Sequence, residues 1–259
     1  MQSLKSYLLL SFVLLFFSGC EKDPAVFVEE DGLYFAATNG SFYYTFAKYP
    51  RKLVDTIQIP LNVFGNAAPV DRVVSLEKIT SDEFNAVEGK HFKFADQVII
   101  PANAFKGTIP VVFYRTPDLE LNSVKFKLSI NKNAAFPGSG ITSQQSITVK
   151  LGYLQQPDTW GTLAGSPFAG FSGNFGTWTK TKYKLILDAL YDEEKGETIA
   201  EFPEGSRFVG QHPPIYDQYV AIVRNYIRIH YPGNYGGTGA VLRDPDANNQ
   251  LILVGPANY

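Results

Sequence analysis

The 259-residue chain has a single cysteine, three histidines and almost no net charge. One cysteine cannot form an intramolecular disulfide, and it excludes zinc sites built from several thiolates. The 23 basic and 25 acidic side chains leave a net charge of −2, which gives no electrostatic basis for binding nucleic acid. The histidines, His91, His212 and His230, lie in no recognisable catalytic or zinc-binding motif. We therefore expect no metal, no cofactor and no nucleic-acid partner.

Long apolar runs are also missing, apart from a short run near the N-terminus, from Tyr7 to Phe17. As a helix this run would span roughly 16 Å, whereas the hydrocarbon core of a bilayer is about 30 Å thick. The run follows the cation Lys5 and precedes the small residues Ser18 and Gly19. This pattern predicts that residues 1–19 form a signal peptide.

The residues around the cysteine resemble a bacterial lipoprotein signal. Ser18-Gly19 stand directly before Cys20, although Phe17 replaces the usual branched aliphatic residue. The resemblance implies that Cys20 is lipidated and that residues 20–29 tether the protein to the membrane; the alternative is a plain secretory signal with a stray cysteine. Glu21-Lys22-Asp23 resembles the surface-export signal of Bacteroidetes lipoproteins, which implies a lipid-anchored, cell-surface-exposed location on the outer membrane.

Residues 30–152 alternate apolar and polar side chains with the period of a β-strand. Turn residues such as Asn39-Gly40 separate the segments, and the prolines within them are expected at sheet edges or strand ends. This pattern predicts an Ig-like antiparallel β-sandwich. The predicted strands cover 33–35, 42–46, 56–63, 72–79, 97–100, 108–114, 123–130 and 146–151.

After a linker at 155–158, the pattern changes, and residues 158–259 are predicted to form a small α+β domain. Tyr183, Ile186, Leu187 and Leu190 have helical spacing, with Thr179 or Thr181 available as N-cap. A longer helix is predicted between Pro213-Pro214 and Pro232-Gly233, and a β-hairpin is predicted around residues 244–249. The fold class is therefore mainly β, with a second domain of mixed type.

The order of motifs resembles a Calx-beta sandwich followed by the C-terminal part of a Bacteroidetes surface lipoprotein family of unknown function. The residues that carry the resemblance are Asn85 to Phe92, Val98 to Ala102, Gly107 to Val111, Val124 to Leu128, Trp178 and Lys182 to Lys184. The family is often associated with polysaccharide-utilisation loci and an outer-membrane transporter. Lys90-His91 stand where a Calx-beta domain has an acidic residue, so the resemblance does not imply a calcium site.

Two segments contain acidic side chains of the kind that glycosidases or calcium sites use, but their sequence context does not match that of such a site. Asp192, Glu193, Glu194 and Glu197 follow a predicted helix, where a solvated turn is the simpler interpretation. Residues 244–248 resemble the start of a calcium loop, but Pro245 is present and Gly255 replaces the closing glutamate. We therefore expect a non-enzymatic protein.

A Gly-rich stretch loaded with aromatic residues, 160–178, supplies the candidate ligand-binding residues. One interpretation is a platform on which sugar rings stack; the other is a wedge of buried aromatics between the two domains. The predicted function is a non-catalytic surface lipoprotein that assists glycan capture or a nutrient-uptake assembly. The alternative is a structural or adhesive envelope module that binds another protein. The candidate residues are Trp160, Phe171, Phe175 and Trp178.

Overall fold

The computed structural model describes residues 30–160, 175–201 and 214–255. Its strands are β1 (Gly32–Phe35), β2 (Ser41–Thr45), β3 (Val54–Phe64), β4 (Arg72–Val73), β5 (Ser75–Ile79), β6 (Phe92–Phe94), β7 (Ile99–Ile100), β8 (Lys106–Tyr114), β9 (Val124–Asn131), β10 (Ser146–Gly152), β11 (Arg243–Asp244) and β12 (Gln250–Leu251). The α-helices are α1 (Lys180–Ala189) and α2 (Pro214–His230). Short 3₁₀ helices cover Thr38–Gly40, Pro117–Glu120, Thr142–Gln144, Asp158–Trp160, Pro232–Tyr235 and Pro245–Ala247.

Two four-stranded sheets contain the longer strands, with the orders β1-β3-β8-β6 and β2-β10-β9-β5. Two small ladders, β4-β7 and β11-β12, complete the described strands. The pairings are antiparallel except between β2 and β10, which run parallel. The predicted fold class, mainly β with antiparallel sheets and a short helical part, is confirmed.

The core is filled by the inward faces of the long strands. In β9, Val124, Phe126, Leu128 and Ile130 are buried and alternate with half-buried neighbours, as the sequence pattern predicts. Aromatic rings supply much of this core: Phe92 stacks on Phe126 with ring centroids 4.0 Å apart. A high aromatic content thus serves sandwich packing, in which aromatic pairs contribute beyond the area they bury.

Three prolines were expected at sheet edges or strand ends. Pro101 directly follows β7, but the expectation is wrong for Pro60 and Pro110, which lie inside the central strands β3 and β8. The carbonyl of Pro60 accepts the N–H of Ala36, just past β1, and that of Pro110 accepts the N–H of Ala95, just past β6. A residue in an antiparallel strand directs its N–H and its C=O toward the same neighbouring strand. At Pro60 and Pro110 the neighbouring strand, β1 or β6, has already ended, so the N–H that proline lacks would point beyond that strand.

Both predicted helices are present. Thr179 is the N-cap of α1, and its side chain accepts the N–H of Lys182. Helix α2 begins at Pro214 and is followed by the 3₁₀ turn Pro232–Tyr235. In the described parts of the chain, neither α-helix is both long and apolar enough to cross a bilayer.

The sandwich and the helices belong to one compact unit, Asp31–Tyr259. The segment after α1 is bound to the loop after β2. The N–H of Thr198 donates to the carbonyl of Lys48 over 2.9 Å, and Arg51 forms an ion pair with Glu193. Whether residues 30–152 and 158–259 fold as separate domains stays a prediction.

Candidate ligand-binding cleft

Two residues of the predicted aromatic platform, Trp160 and Phe175, are buried. Trp160 is 1% exposed, and its indole N–H donates to the carbonyl of Gly176 over 3.0 Å. Its ring meets Tyr183 of α1 edge-on, with centroids 5.9 Å apart, and Phe175 is also buried. Trp160 and Phe175 therefore have no free ring face on which a sugar could stack. Trp178 is half-buried.

Two other candidate residues, Phe171 and Cys20, lie outside the described residues, as do the signal peptide and tether at 1–29. The acidic segment after α1 forms a turn, as expected. Asp192 accepts the N–H groups of Glu194 and Lys195 and binds the ammonium of Lys195 over 2.8 Å. The Glu193 carboxylate accepts two hydrogen bonds from the guanidinium of Arg51.

A cleft of about 810 Å³ opens where the sandwich meets the segment after α1. One wall comes from β2, the following loop and the start of β3; the other comes from residues 197–201. The volume lies in the range of small-molecule sites, about 300–1,000 Å³. The charged and tyrosine side chains that line it are those of Tyr43, Tyr44, Lys48, Tyr49, Lys52, Asp55, Glu197 and Glu201.

The alternation of side chains along β2 determines which of its tyrosines points outward. On β2, Tyr44 is directed into the core, where it meets Phe46 edge-on at 5.1 Å, so the adjacent Tyr43 is directed outward and stays 45% exposed. Tyr49, in the loop after β2, is half-buried and lies parallel to Tyr44 at a centroid distance of 6.4 Å. The ammonium of Lys52 lies 4.5 Å from the Tyr49 ring centroid. Among the described rings that line the cleft, the exposed one is thus Tyr43.

A hydrogen-bond network around Asp55, which lines the cleft, keeps this carboxyl group charged. Asp55 accepts the Tyr44 hydroxyl over 2.6 Å, the Lys52 ammonium over 3.0 Å and the N–H of Thr56 over 3.0 Å. Partial burial would raise the pKa of Asp55, but these bonds outweigh it, and the pKa is lowered. Burial, and then the bond to Asp55, raise the pKa of Tyr44. At neutral pH the pair is a carboxylate and a neutral phenol, so neither group is poised to exchange a proton.

The opposite wall is anchored by neutral and ionic contacts. Lys48 pairs with Glu197 at 3.3 Å, and the hydrogen bond to Glu197 is the main reason why the pKa of Lys48 is raised. The Tyr183 hydroxyl donates to the carbonyl of Ala200 over 2.8 Å, and Thr198 Oγ1 donates to the carbonyl of Leu187 over 2.7 Å. The wall is therefore fixed to α1 by buried hydrogen bonds as well as by its surface pairs.

His91 forms a second polar cluster, away from the cleft, which has a structural role. Its Nδ1 accepts the N–H of Val87, so its Nε2 carries the proton that is donated to Asp118 over 3.0 Å. Lys90 donates to the same Asp118 oxygen, and this bond is the largest cause of the lowered pKa of Asp118. No group of three or more metal-ligating side chains occurs within residues 30–160, 175–201 and 214–255.

A family model described as a domain of unknown function, DUF4843, matches residues 19–191, which include the sandwich, α1 and the tyrosines of the cleft. The chain belongs to the DUF4843 family. The predicted membership in a family of unknown function is thereby confirmed. The match ends before residues 197–201, so one wall of the cleft lies beyond the part of the chain that the DUF4843 model covers. A comparison with curated proteins found no match.

Solved structures similar to this DUF4843 protein include a protein of unknown function from Bacteroides ovatus (TM-score 0.35, 16% identity, 48% of this chain and 45% of that one). Others are the apo CBD1 domain of Calx (0.34, 12%, 48% and 98%) and an auxiliary nutrient binding protein from Bacteroides thetaiotaomicron (0.32, 13%, 49% and 47%). The chain thus spans less than half of either Bacteroides protein. These TM-scores do not support a functional argument.

Proposed function

We propose that this DUF4843 protein is a non-catalytic, lipid-anchored protein of the outer cell surface that captures glycans for a nutrient-uptake assembly. The observation that carries the proposal is the cleft in which the exposed ring of Tyr43 stands near two carboxylate–ammonium pairs, Asp55–Lys52 and Glu197–Lys48. Sugars offer apolar C–H faces to aromatic rings and hydroxyls to charged groups. Fixed polar groups around an apolar surface are typical of small-molecule sites.

A non-catalytic role is supported by the state of the acids in the cleft. Glycoside hydrolysis needs a carboxylic acid with a raised pKa as proton donor, opposite a second carboxylate. Asp55 has a lowered pKa and three hydrogen-bond donors, and Glu197 is paired with Lys48. Asp55 is therefore arranged to accept hydrogen bonds from a ligand rather than to protonate it.

Replacing Tyr43 tests the capture function. The mature lipoprotein, purified in detergent, is applied to an array of plant and host glycans. We expect Tyr43→Ala to weaken retention of the bound glycan about tenfold or more, since the loss of one stacking ring is worth about 1.5 kcal/mol or more. Phe105→Ala is the matched control, because Phe105 is 54% exposed and outside the cleft, and it should leave retention unchanged. If no glycan is retained and an envelope protein is captured instead, the structural or adhesive alternative is correct.

Replacing Cys20 tests the anchor. We expect Cys20→Ala to move the protein from the outer-membrane fraction to the soluble envelope or the medium, because several acyl chains provide the attachment. Ser18→Ala keeps a small residue upstream and should stay attached. Protease treatment of intact cells should degrade the wild-type protein from outside. Unchanged detergent partitioning of Cys20→Ala would show that the chain is held in another way.

A further inference from the structure

The proposed tether joins the sandwich at the end opposite the cleft. Asp31, the first residue of the compact unit, accepts the N–H of Asn66 over 2.7 Å, just past the C-terminal end of β3. Asp55, which lines the cleft, is the second residue of the same strand. At about 3.3 Å per residue, β3 separates these two ends of the sandwich by roughly 30 Å. We call the end that contains Asp31 and Asn66 the tether end.

Two loops at the tether end contain no charged side chain. Residues 66–70 and residues 101–105 are composed of Ala, Pro, Asn, Val and Phe. The N–H of Asn103 donates to the carbonyl of Ala68 over 2.7 Å, so the two loops form one surface. Loops that face only water are expected to be polar. The formation of turns explains the Pro and Asn residues in these loops, but it does not explain the apolar ones.

The two loops and the adjacent β4–β7 ladder expose four large apolar side chains. Val73 and Ile99 are direct partners in the ladder, so their side chains share one face of it. Val70 and Phe105 belong to the two loops, and the exposed fractions of the four residues range from 38% to 61%. Single exposed apolar residues are ordinary, but a group of them on uncharged loops is typical of a contact surface. These four residues are the tether-end patch.

The length of the tether determines what this patch can meet. Even when fully extended, residues 20–29 would span no more than about 36 Å between a lipidated Cys20 and Glu30. The lipid surface is therefore always within reach of the patch, at a high effective concentration. A protein partner would have to enter the gap between the sandwich and the membrane. Apolar side chains of surface-bound proteins enter the boundary between headgroups and acyl chains.

We propose that the tether-end patch rests on the lipid surface, so that the sandwich stands on the membrane with its cleft directed away from it. This inference rests on the proposed lipid anchor and adds a second, non-covalent contact to it. A covalent tether alone limits the distance from the membrane but leaves the orientation free. A second contact at the same end fixes the orientation and presents the cleft to glycans in the medium.

Fluorescence quenching by lipid tests the orientation. The mature lipoprotein is reconstituted into phosphatidylcholine vesicles, with or without lipid that carries a nitroxide quencher. Single cysteines replace Val70, Phe105 or Leu121 and are labelled with a fluorophore; Cys20 is the only native cysteine, and lipidation would block its thiol. We expect the quencher to lower the emission of the first two labels about threefold or more, because side chains in the interface lie about 5–10 Å deep. The label at Leu121 is the control and should be quenched less.

Leu121 is a matched control because it is also a large exposed aliphatic residue, 68% exposed, but lies at the other end of the sandwich. It follows the 3₁₀ helix Pro117–Glu120, past the end of β8 that pairs with the start of β3. In the protein labelled at Val70, Phe105→Asp should reduce the quenching to the level of the Leu121 label, because a carboxylate is costly to move into the interface. Leu121→Asp should leave the quenching at Val70 unchanged.

The outcomes separate this inference from the anchor on which it rests. If the protein floats with the vesicles but the labels at Val70 and Phe105 are quenched no more than the label at Leu121, the anchor is correct and the orientation is overturned. If Phe105→Asp leaves the quenching at Val70 unchanged, the apolar contact is overturned. If the wild-type protein does not float with the vesicles, the lipid anchor of the proposed function fails and this inference fails with it.

Discussion

Trp160→Ala should lower the free energy of unfolding by about 3–5 kcal/mol, the usual cost of emptying a buried aromatic site. Trp160 is 1% exposed and packs against Tyr183 of α1 and against Phe175. The substitution also leaves the carbonyl of Gly176 without the indole donor that it has in the wild type. The lost stability therefore has two causes, a cavity and a broken hydrogen bond between the end of the sandwich and the helical part. Urea titration followed by circular dichroism measures the free energy of unfolding.

Two further variants separate packing from folding failure. Trp160→Phe keeps a ring but loses the N–H, so it should cost less than Trp160→Ala and should fold even if the alanine variant does not. Trp178→Ala should cost less than Trp160→Ala, because Trp178 is half-buried. If Trp160→Ala keeps the stability of the wild type and weakens glycan retention, the stretch 160–178 serves as the sugar platform.

Alternation along single strands was the part of the fold that the sequence predicted best. Ile59, Leu61 and Val63 share the buried face of β3, because side chains two residues apart must point to the same side of a sheet. Strand β6 was missed: Phe92–Phe94 is only three residues long, which is too short for a period to be recognised. Thr179 was one of two predicted N-cap candidates, with Thr181, because capping depends on local residue type; the structure has Thr179 at the cap.

Strand partners could not be predicted in the same way. The turn at Asn39-Gly40 suggests a hairpin, yet β1 and β2 belong to different sheets, and β2 pairs in parallel with the distant β10. Pairing of this kind depends on contacts that are far apart in sequence and leave no local signature. The two interior prolines were misplaced for the same reason, since their position is permitted by where neighbouring strands end.

The candidate cleft was missed because it combines two distant segments. Tyr43 and Asp55 come from the sandwich, whereas Glu197 and Glu201 follow α1. The binding residues were instead predicted in the Gly-rich stretch 160–178, where Trp160 and Phe175 are buried. The period of two along β2 is a local signal that could have identified Tyr43 as an outward ring, because its neighbour Tyr44 is directed inward. Aromatic density alone does not separate an interior cluster from a binding surface.

Asp244→Ala is the second substitution from which we expect a large loss of stability, about 2–3 kcal/mol. Asp244 is 2% exposed, and it accepts the hydroxyl of Thr179 over 2.5 Å and the N–H of Asp246 over 3.1 Å. Through Thr179, the N-cap of α1, these bonds attach the C-terminal β11–β12 ladder to the start of the helix. Hydrogen bonds to a charged group contribute about 1.5–3 kcal/mol, and the carboxylate also lies near the positive end of the helix dipole.

A double-mutant cycle with Thr179→Val tests this coupling. Because the two side chains share one hydrogen bond, the double variant should lose less stability than the sum of the single losses, by about 1 kcal/mol or more. Asp217→Ala, an exposed acid in the first turn of α2, serves as control and should show additive losses with Thr179→Val. A chelator should leave the melting temperature of the wild type unchanged. Additive losses for Asp244 and Thr179 would mean that the two side chains are not coupled and that Asp244 does not attach the ladder to α1. A melting temperature that falls with chelator and recovers with calcium would mean that Asp244 acts as a cation ligand.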